Sequence, residues 1–254
     1  MLTKRLSNPT QNDSLRLKRL GRYLLGVRDM GLFLPMRGDA EILECYSDSD
    51  SAGDACDRKS VACGIITCGG CVLLEYTMGQ AVHALSSGEA EYYGGVSLAA
   101  EALHMKSVMK FIKMPVRIRL RLDSSAAKAI CQRVGVGRVR HLEVRTLWLQ
   151  AKVNDKKIVV VKQNGDTNIA DIGTKVLPAP RFERLRAEMG RLAVASGGDS
   201  AESKPERMAR IVHQGHDDLK VGMALTMFLN CLREALDQGE RNGSLGNQES
   251  CKAK

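Results

Sequence analysis

The sequence predicts an α/β domain in which helices cover both faces of a mixed, five-stranded sheet. Hydrophobic periodicity gives the order three strands, a helix, a strand, two helices, a strand and a helix. A mixed sheet between two helical layers accommodates that order. With 254 residues, of which 44% are hydrophobic, the chain is long enough for one domain with a true core plus appendages.

Residues 14–28 have the apolar spacing of a helix, and Ser14 is positioned to cap its start. Residues 42–46 alternate and then lead into Asp48, which favours a strand that carries a carboxylate at its C-terminal end. Residues 62–67 and 71–76 extend this strand into a meander.

Gly69 and Gly70 separate the second and third strands and suit a two-residue hairpin turn with positive φ. Cys68 and Cys71 flank the turn. No second cysteine or histidine pair follows at zinc-ligand spacing, so the sequence favours a turn over a metal site. The eight cysteines are irregularly spaced and are expected to be reduced thiols.

A helix is predicted from Ser87 to about residue 112, before Pro115. Residues 116–122 alternate strictly and form the next strand, which ends at Asp123 and leads into a short helix. Residues 141–154 predict a further helix. The continuous apolar run 158–161 is typical of a strand covered on both faces, and a last helix, beginning near Asp166, contains Asp171.

Charge is unevenly distributed. Residues 36–111 carry a balance of −6, whereas residues 112–158 carry +9. The basic stretch could neutralise a phosphate backbone, although a solvated basic face is the alternative. No stretch approaches the roughly 20 apolar residues of a membrane span, so no membrane partner is expected, and the predicted location is cytoplasmic or nuclear.

Four motifs carry the functional prediction: YSDSDSAGD at 46–54, DRKS at 57–60, ALSSGEAEYY at 84–93 and NIADIGTK at 168–175. In words, order and spacing they resemble the ribonuclease H domain of Copia-type retrotransposon Pol polyproteins. The resemblance covers about residues 15–178. It implies a ribonuclease H-like fold and an enzyme, a metal-dependent endonuclease that hydrolyses the RNA strand of RNA–DNA hybrids.

The resemblance places the metal ligands at Asp48, Glu91, Asp123 and Asp171. Carboxylates from several elements are what two Mg²⁺ ions about 4 Å apart require, with Mn²⁺ as an alternative ion. His141 is a candidate for proton transfer, with a surface histidine as the alternative. By chemistry alone, Asp50 or Asp54 could replace Asp48, Glu89 could replace Glu91, and Asp123 could be a helix cap.

Candidate contacts to the nucleic acid fall in two groups. The group near the acidic motifs consists of Arg58, Lys59, Ser60, Gln80 and Ser86. The group in the basic stretch consists of Arg117, Arg119, Arg138 and Arg140. Residues 117, 119 and 121 share one face of a strand, which would make a basic track for phosphates.

The expected domains are a remnant of the reverse transcriptase connection at 1–38, the ribonuclease H-like domain at 39–178, and a helical, partly disordered tail at 179–254. The expected partners are an RNA–DNA hybrid and the reverse transcriptase portion of the same polyprotein. The alternative function is a catalytically inactive or domesticated fragment that acts as a nucleic-acid-binding or interaction module.

Overall fold

The fold contains a five-stranded sheet in which the strands at 71–79, 61–68, 42–50, 117–122 and 158–162 lie side by side in that order. The computed structural model describes residues 8–27, 30–34, 40–53, 58–137, 139, 141, 142 and 144–193. Strands β2 (Ile42–Asp50), β3 (Val61–Cys68) and β4 (Cys71–Gly79) form an antiparallel meander. β5 (Arg117–Leu122) and β6 (Ile158–Lys162) continue the sheet in parallel. The predicted five-stranded mixed sheet is confirmed.

The predicted hairpin between β3 and β4 is confirmed. Gly69 and Gly70 both have positive φ, at 56° and 82°, and Cys68 lies opposite Cys71 across the turn. Glycine is favoured here because two consecutive left-handed residues would strain any side chain with a Cβ. The five cysteines of the described part, these two included, are free thiols.

One face of the sheet packs against α2 (Ser87–Phe111), α3 (Ser125–Gln132) and α4 (Trp148–Asn154). Leu43, Leu98, Leu120 and Leu149 are all fully buried in this layer. The helix predicted at 141–154 is interrupted: a 3₁₀ turn at Val144–Thr146 precedes α4.

The opposite face is covered by α5 (Asp171–Thr174) and α6 (Ala179–Glu188). A 3₁₀ turn at Gly165–Thr167 leads into α5, so the predicted final helix is shorter than its pattern suggested. Leu185 and Met189 pack with Ile65 and Ile169 in a second cluster. Helices therefore lie on both faces, and residues 179–189 share a core with the domain that was expected to end at 178.

A small second sheet pairs β1 (Met30–Leu32) with β7 (Arg191–Ala193) in antiparallel register. The polypeptide on either side of the main domain is therefore joined at this pair. The structure describes no residue after 193, so the remainder of the predicted tail lies outside the described residues.

Two predictions about single elements are wrong. β6 is not covered on both faces: Ile158 and Val160 are buried, but Val159 is 52% exposed, because this strand lies at the edge of the sheet and helices pack on only one side of it. Helix α1 (Gln11–Gly26) begins earlier than predicted, since Thr10 and Asp13 form a reciprocal capping box ahead of Ser14.

Candidate active site

Asp48 and Asp123 come together near the C-terminal ends of β2 and β5, because these two strands are neighbours and run in parallel. Ser47 of β2 is in register with Leu122 of β5, so the residues that follow each of them come together. Asp48 is fully buried, and Asp123 lies directly after the last residue of β5. Ser124 caps α3 by accepting a hydrogen bond from the Ala127 backbone N–H, so Asp123 is not the cap.

Glu91 reaches the C-terminal ends of these strands from the first part of α2. Ser86 caps the helix, and the Glu91 Oε1 atom accepts a hydrogen bond of 3.0 Å from the Ser49 backbone N–H. That bond fixes the start of α2 against the end of β2. The structure thus brings Glu91 to Asp48.

Asp48, Glu91 and Asp123 form an acidic cluster in which one carboxylate oxygen from each lies within 4.8 Å of the others. Glu91 is only 6% exposed, and its Oε2 atom has no hydrogen-bond partner among the described residues. Burial, followed by the charges of Asp123 and Asp48, raises the pKa of Glu91 to about 9. Burial and the charge of Asp48 also raise the pKa of Asp123.

This acidic cluster suits a hard divalent cation. Clustered carboxylates repel one another, and a cation relieves both that repulsion and the unpaired Oε2 atom of Glu91. Oxygen ligands are the ones that Mg²⁺ and Mn²⁺ prefer. The donor set and the unpaired buried oxygen therefore fit the metal expected from the sequence.

Asp171 lies beside this cluster but is engaged by the protein's own cations. Lys175 Nζ donates to Asp171 Oδ1 at 2.8 Å and to Asp48 Oδ1 at 3.0 Å, so those two oxygens are at most about 6 Å apart. Arg181 donates to the other Asp171 oxygen, and the Thr174 hydroxyl donates to the other oxygen of Asp48.

Lys175 is the last residue of the motif at 168–175, but the sequence analysis gave it no role. Burial lowers its pKa, but the hydrogen bonds to Asp171 and Asp48 and their charges outweigh burial and raise the pKa above its ordinary value. The only sequence signal was its position four residues after Asp171, where a helix brings two side chains together. Arg181 had no such signal.

His141 does not contact the acidic cluster through a described hydrogen bond but pairs with Glu89. Its Nε2 atom lies 2.8 Å from Glu89 Oε2, and Glu89 is 1% exposed. Glu89 also accepts hydrogen bonds from the Tyr93 hydroxyl and the Leu85 backbone N–H. Burial raises the pKa of Glu89, but these bonds outweigh burial and lower it overall. Glu89 therefore anchors His141, while Glu91 joins the acidic cluster.

Several predicted nucleic-acid contacts have partners inside the fold. Gln80 is buried and donates to Ser49 Oγ and to the Ala90 carbonyl. Ser60 is buried and accepts from the Ala52 backbone N–H. Ser86 is the cap of α2. Each of these side chains supports the backbone around the site.

The predicted basic track on β5 is largely neutralised. Arg119 and Arg121 bind Glu44 at 2.6 and 2.7 Å, and Arg121 also stacks over Tyr46. Glu44 is four residues before Asp48 on β2, which corresponds to about 13 Å of strand. Arg117 forms an exposed, 3.8 Å pair with Glu41.

Of the other predicted contacts, the structure describes two and leaves two outside the described residues. Arg58 has a positive φ of 57° and, like Lys59, lies just before β3. Asp50 accepts from the Val61 backbone N–H at 2.8 Å, so this alternative metal ligand stabilises the loop instead. Asp54, Arg138 and Arg140 lie outside the described residues.

No protein-family model matches the chain. It is 29% identical over 192 residues to the retrovirus-related Pol polyprotein from transposon TNT 1-94 of Nicotiana tabacum, covering 75% of this chain and 14% of that protein. It is 27% identical over 195 residues to the corresponding polyprotein from transposon RE1 of Arabidopsis thaliana, covering 74% and 13%. The chain thus spans about one seventh of the length of these relatives.

Two solved structures resemble this chain in part. The N-terminal RNase H domain of a Mycobacterium tuberculosis protein, solved as a fusion with maltose-binding protein, has a TM-score of 0.37 at 16% identity, over 57% of this chain and 96% of that chain. LC11-RNase H1 in complex with an RNA/DNA hybrid has a TM-score of 0.33 at 21% identity, over 50% and 88%. In the described part of this chain, no helix is both long and apolar enough to cross a membrane.

Proposed function

We propose that the chain is a ribonuclease H-type domain, related to the retrovirus-related Pol polyproteins to which it is similar, and that it hydrolyses the RNA strand of RNA–DNA hybrids. The observation that carries the proposal is the acidic cluster of Asp48, Glu91 and Asp123 together with the unpaired Oε2 atom of Glu91. A buried polar atom of this kind is costly unless a ligand satisfies it.

In this proposal the acidic cluster holds one Mg²⁺, and Asp48 and Asp171 offer ligands for a second. Bound there, the ions would lower the pKa of a water and stabilise the leaving oxygen. The carboxylates would hold and orient the ions, and the burial of Asp48, Glu91 and Asp171 would keep competing water from these ligands. The water oxygen bonds to phosphorus as the bond to the ribose 3′-oxygen breaks, which leaves a 3′-hydroxyl and a 5′-phosphate.

His141 is proposed to supply a proton to the departing 3′-oxygen. Its ring is held through Nε2 by the buried Glu89 carboxylate, and its side chain is 45% exposed, so it can meet a substrate at the surface. Glu89 acts as a positioning residue because it keeps the ring in one orientation.

The test is cleavage of a labelled RNA–DNA hybrid in Mg²⁺, with double-stranded RNA of the same sequence as the control substrate. We expect cleavage of the hybrid only, complete loss with a chelator, and products with 5′-phosphates. A purified, folded chain that binds Mg²⁺ but leaves the hybrid intact would refute the proposed activity. The expected partnership with a reverse transcriptase portion belongs to this same proposal.

A further inference from the structure

The site contains two sets of carboxylates, the acidic cluster and the pair formed by Asp48 and Asp171, and the protein provides different partners for each set. In the acidic cluster, the Glu91 Oε2 atom has no partner among the described residues. Between Asp48 and Asp171, in contrast, an ammonium group is already in place. One place is thus prepared for an external cation, and the neighbouring place is filled by a side chain.

Lys175 satisfies the second pair almost as a metal ion would. Its Nζ atom lies 3.0 Å from one oxygen of Asp48 and 2.8 Å from one oxygen of Asp171. The remaining oxygens accept hydrogen bonds from Thr174 and Arg181. All four oxygens of this pair therefore have a protein donor, and Asp48 and Asp171 are almost completely buried.

A divalent ion and the ammonium cannot share this place. Two cations bound to the same pair of oxygens would repel each other strongly in a buried setting. The Lys175 side chain is 40% exposed and follows the last residue of the short helix α5, so it has a path to solvent. Withdrawal of the ammonium would free one oxygen each of Asp48 and Asp171.

We propose that Lys175 occupies the second cation position of the free protein, so that the chain binds one divalent ion at the acidic cluster and admits a second only when the ammonium withdraws. This inference rests on the proposed metal-dependent function. Lys175 is thereby a residue that sets the occupancy of the second ion and not merely a salt-bridge partner of Asp171.

The test counts bound Mn²⁺ on the full chain by electron paramagnetic resonance of free Mn²⁺ during titration. We expect one ion per chain for the unaltered protein and two for Lys175→Met over the same range of Mn²⁺ concentration. Any second ion in the unaltered protein should bind at least about tenfold more weakly than the second ion of the variant, because it must displace the ammonium. Lys175→Arg keeps the charge and should bind one ion.

The matched control is Lys162→Met. Lys162 donates to the backbone carbonyl of Asp123 and so also places a positive charge beside the acidic cluster, but not between two carboxylates. We expect this variant to bind one ion. If it bound two, a general loss of positive charge would explain the result, and the specific role of Lys175 would be refuted.

Circular dichroism of the metal-free proteins verifies that each variant is folded. If Lys175→Met is not, Lys175→Gln replaces it, since the amide still donates a hydrogen bond without carrying charge; two ions are expected. Two ions in the unaltered protein, or one ion in a folded Lys175→Met or Lys175→Gln variant, would overturn the inference about Lys175 but not the proposed function. No bound ion in any of these proteins would overturn the proposed function as well.

Discussion

Glu91 makes the metal-free protein sensitive to pH, and Glu91→Gln should remove the part of that sensitivity that Glu91 contributes. Burial beside Asp123 and Asp48 raises the pKa of Glu91 from 4.5 to about 9. The folded state therefore favours the protonated carboxyl, whereas the unfolded chain ionises it at ordinary pH. The stability from this group is complete below the unfolded pKa and is lost as pH rises through the folded pKa.

The size of the effect follows from the shift. Each pKa unit corresponds to about 1.4 kcal/mol, so the free energy of unfolding should fall by about 3 kcal/mol between pH 4.5 and 7 and by about 6 kcal/mol in total above pH 9. The amide introduced by Glu91→Gln carries no charge and is nearly the same shape as the carboxyl group, and its oxygen can still accept the Ser49 N–H. At neutral pH the metal-free Glu91→Gln variant should therefore be the more stable protein.

Urea unfolding in a chelator, followed by circular dichroism at several pH values from 5 to 8, measures this difference. The unaltered protein should lose stability relative to Glu91→Gln as pH rises. Saturating Mg²⁺ should restore the stability of the unaltered protein, because the ion binds the folded state, but not raise that of Glu91→Gln, which lacks one carboxylate of the acidic cluster. A stability difference that stays constant across this pH range would refute the reasoning. Asp123 contributes with the same sign in both proteins, so it largely cancels.

Three further substitutions test other parts of the site. Asp123→Asn should lower cleavage by about 100-fold or more while hybrid affinity and circular dichroism are retained, because an amide is a poor cation ligand of the same shape; loss of fold would mean a structural role. Gly173→Ala should destabilise the protein by about 1–3 kcal/mol in urea unfolding, since its new Cβ would lie 2.5 Å from Cys63 Sγ; unchanged stability would contradict this packing. Arg119→Gln should leave the salt dependence of hybrid binding, measured by fluorescence anisotropy, unchanged, because the Arg119 guanidinium is bound to Glu44 instead of a phosphate. A slope lower by about one would identify a phosphate contact.

The acids and the sheet could be predicted from local sequence because their signals are local. The alternation over 117–122 predicts a strand, and a carboxylate directly after it must lie where that strand leaves the sheet. Gly69 and Gly70 require a tight turn in the same way. Such patterns need no knowledge of distant residues, so the order of elements and the positions of Asp48, Glu91 and Asp123 within them were accessible.

Pair partners were not accessible, because they depend on which elements meet. The arginines of β5 share one face in the sequence pattern, but only the parallel pairing of β5 with β2 places Glu44 opposite them. The exposure of Val159 likewise depends on β6 being an edge strand. A charged or apolar run has the same sequence whether its face is open or covered.

By itself the sequence determined the sheet, the acidic residues that are proposed as ligands and the family that the motifs resemble. The tertiary structure decided that Asp171 forms ion pairs with Lys175 and Arg181, and that His141 contacts Glu89. These outcomes differ in origin because a residue's type and periodicity are written locally, whereas the electrostatic environment of a buried carboxylate is the sum of groups brought together from separate parts of the chain.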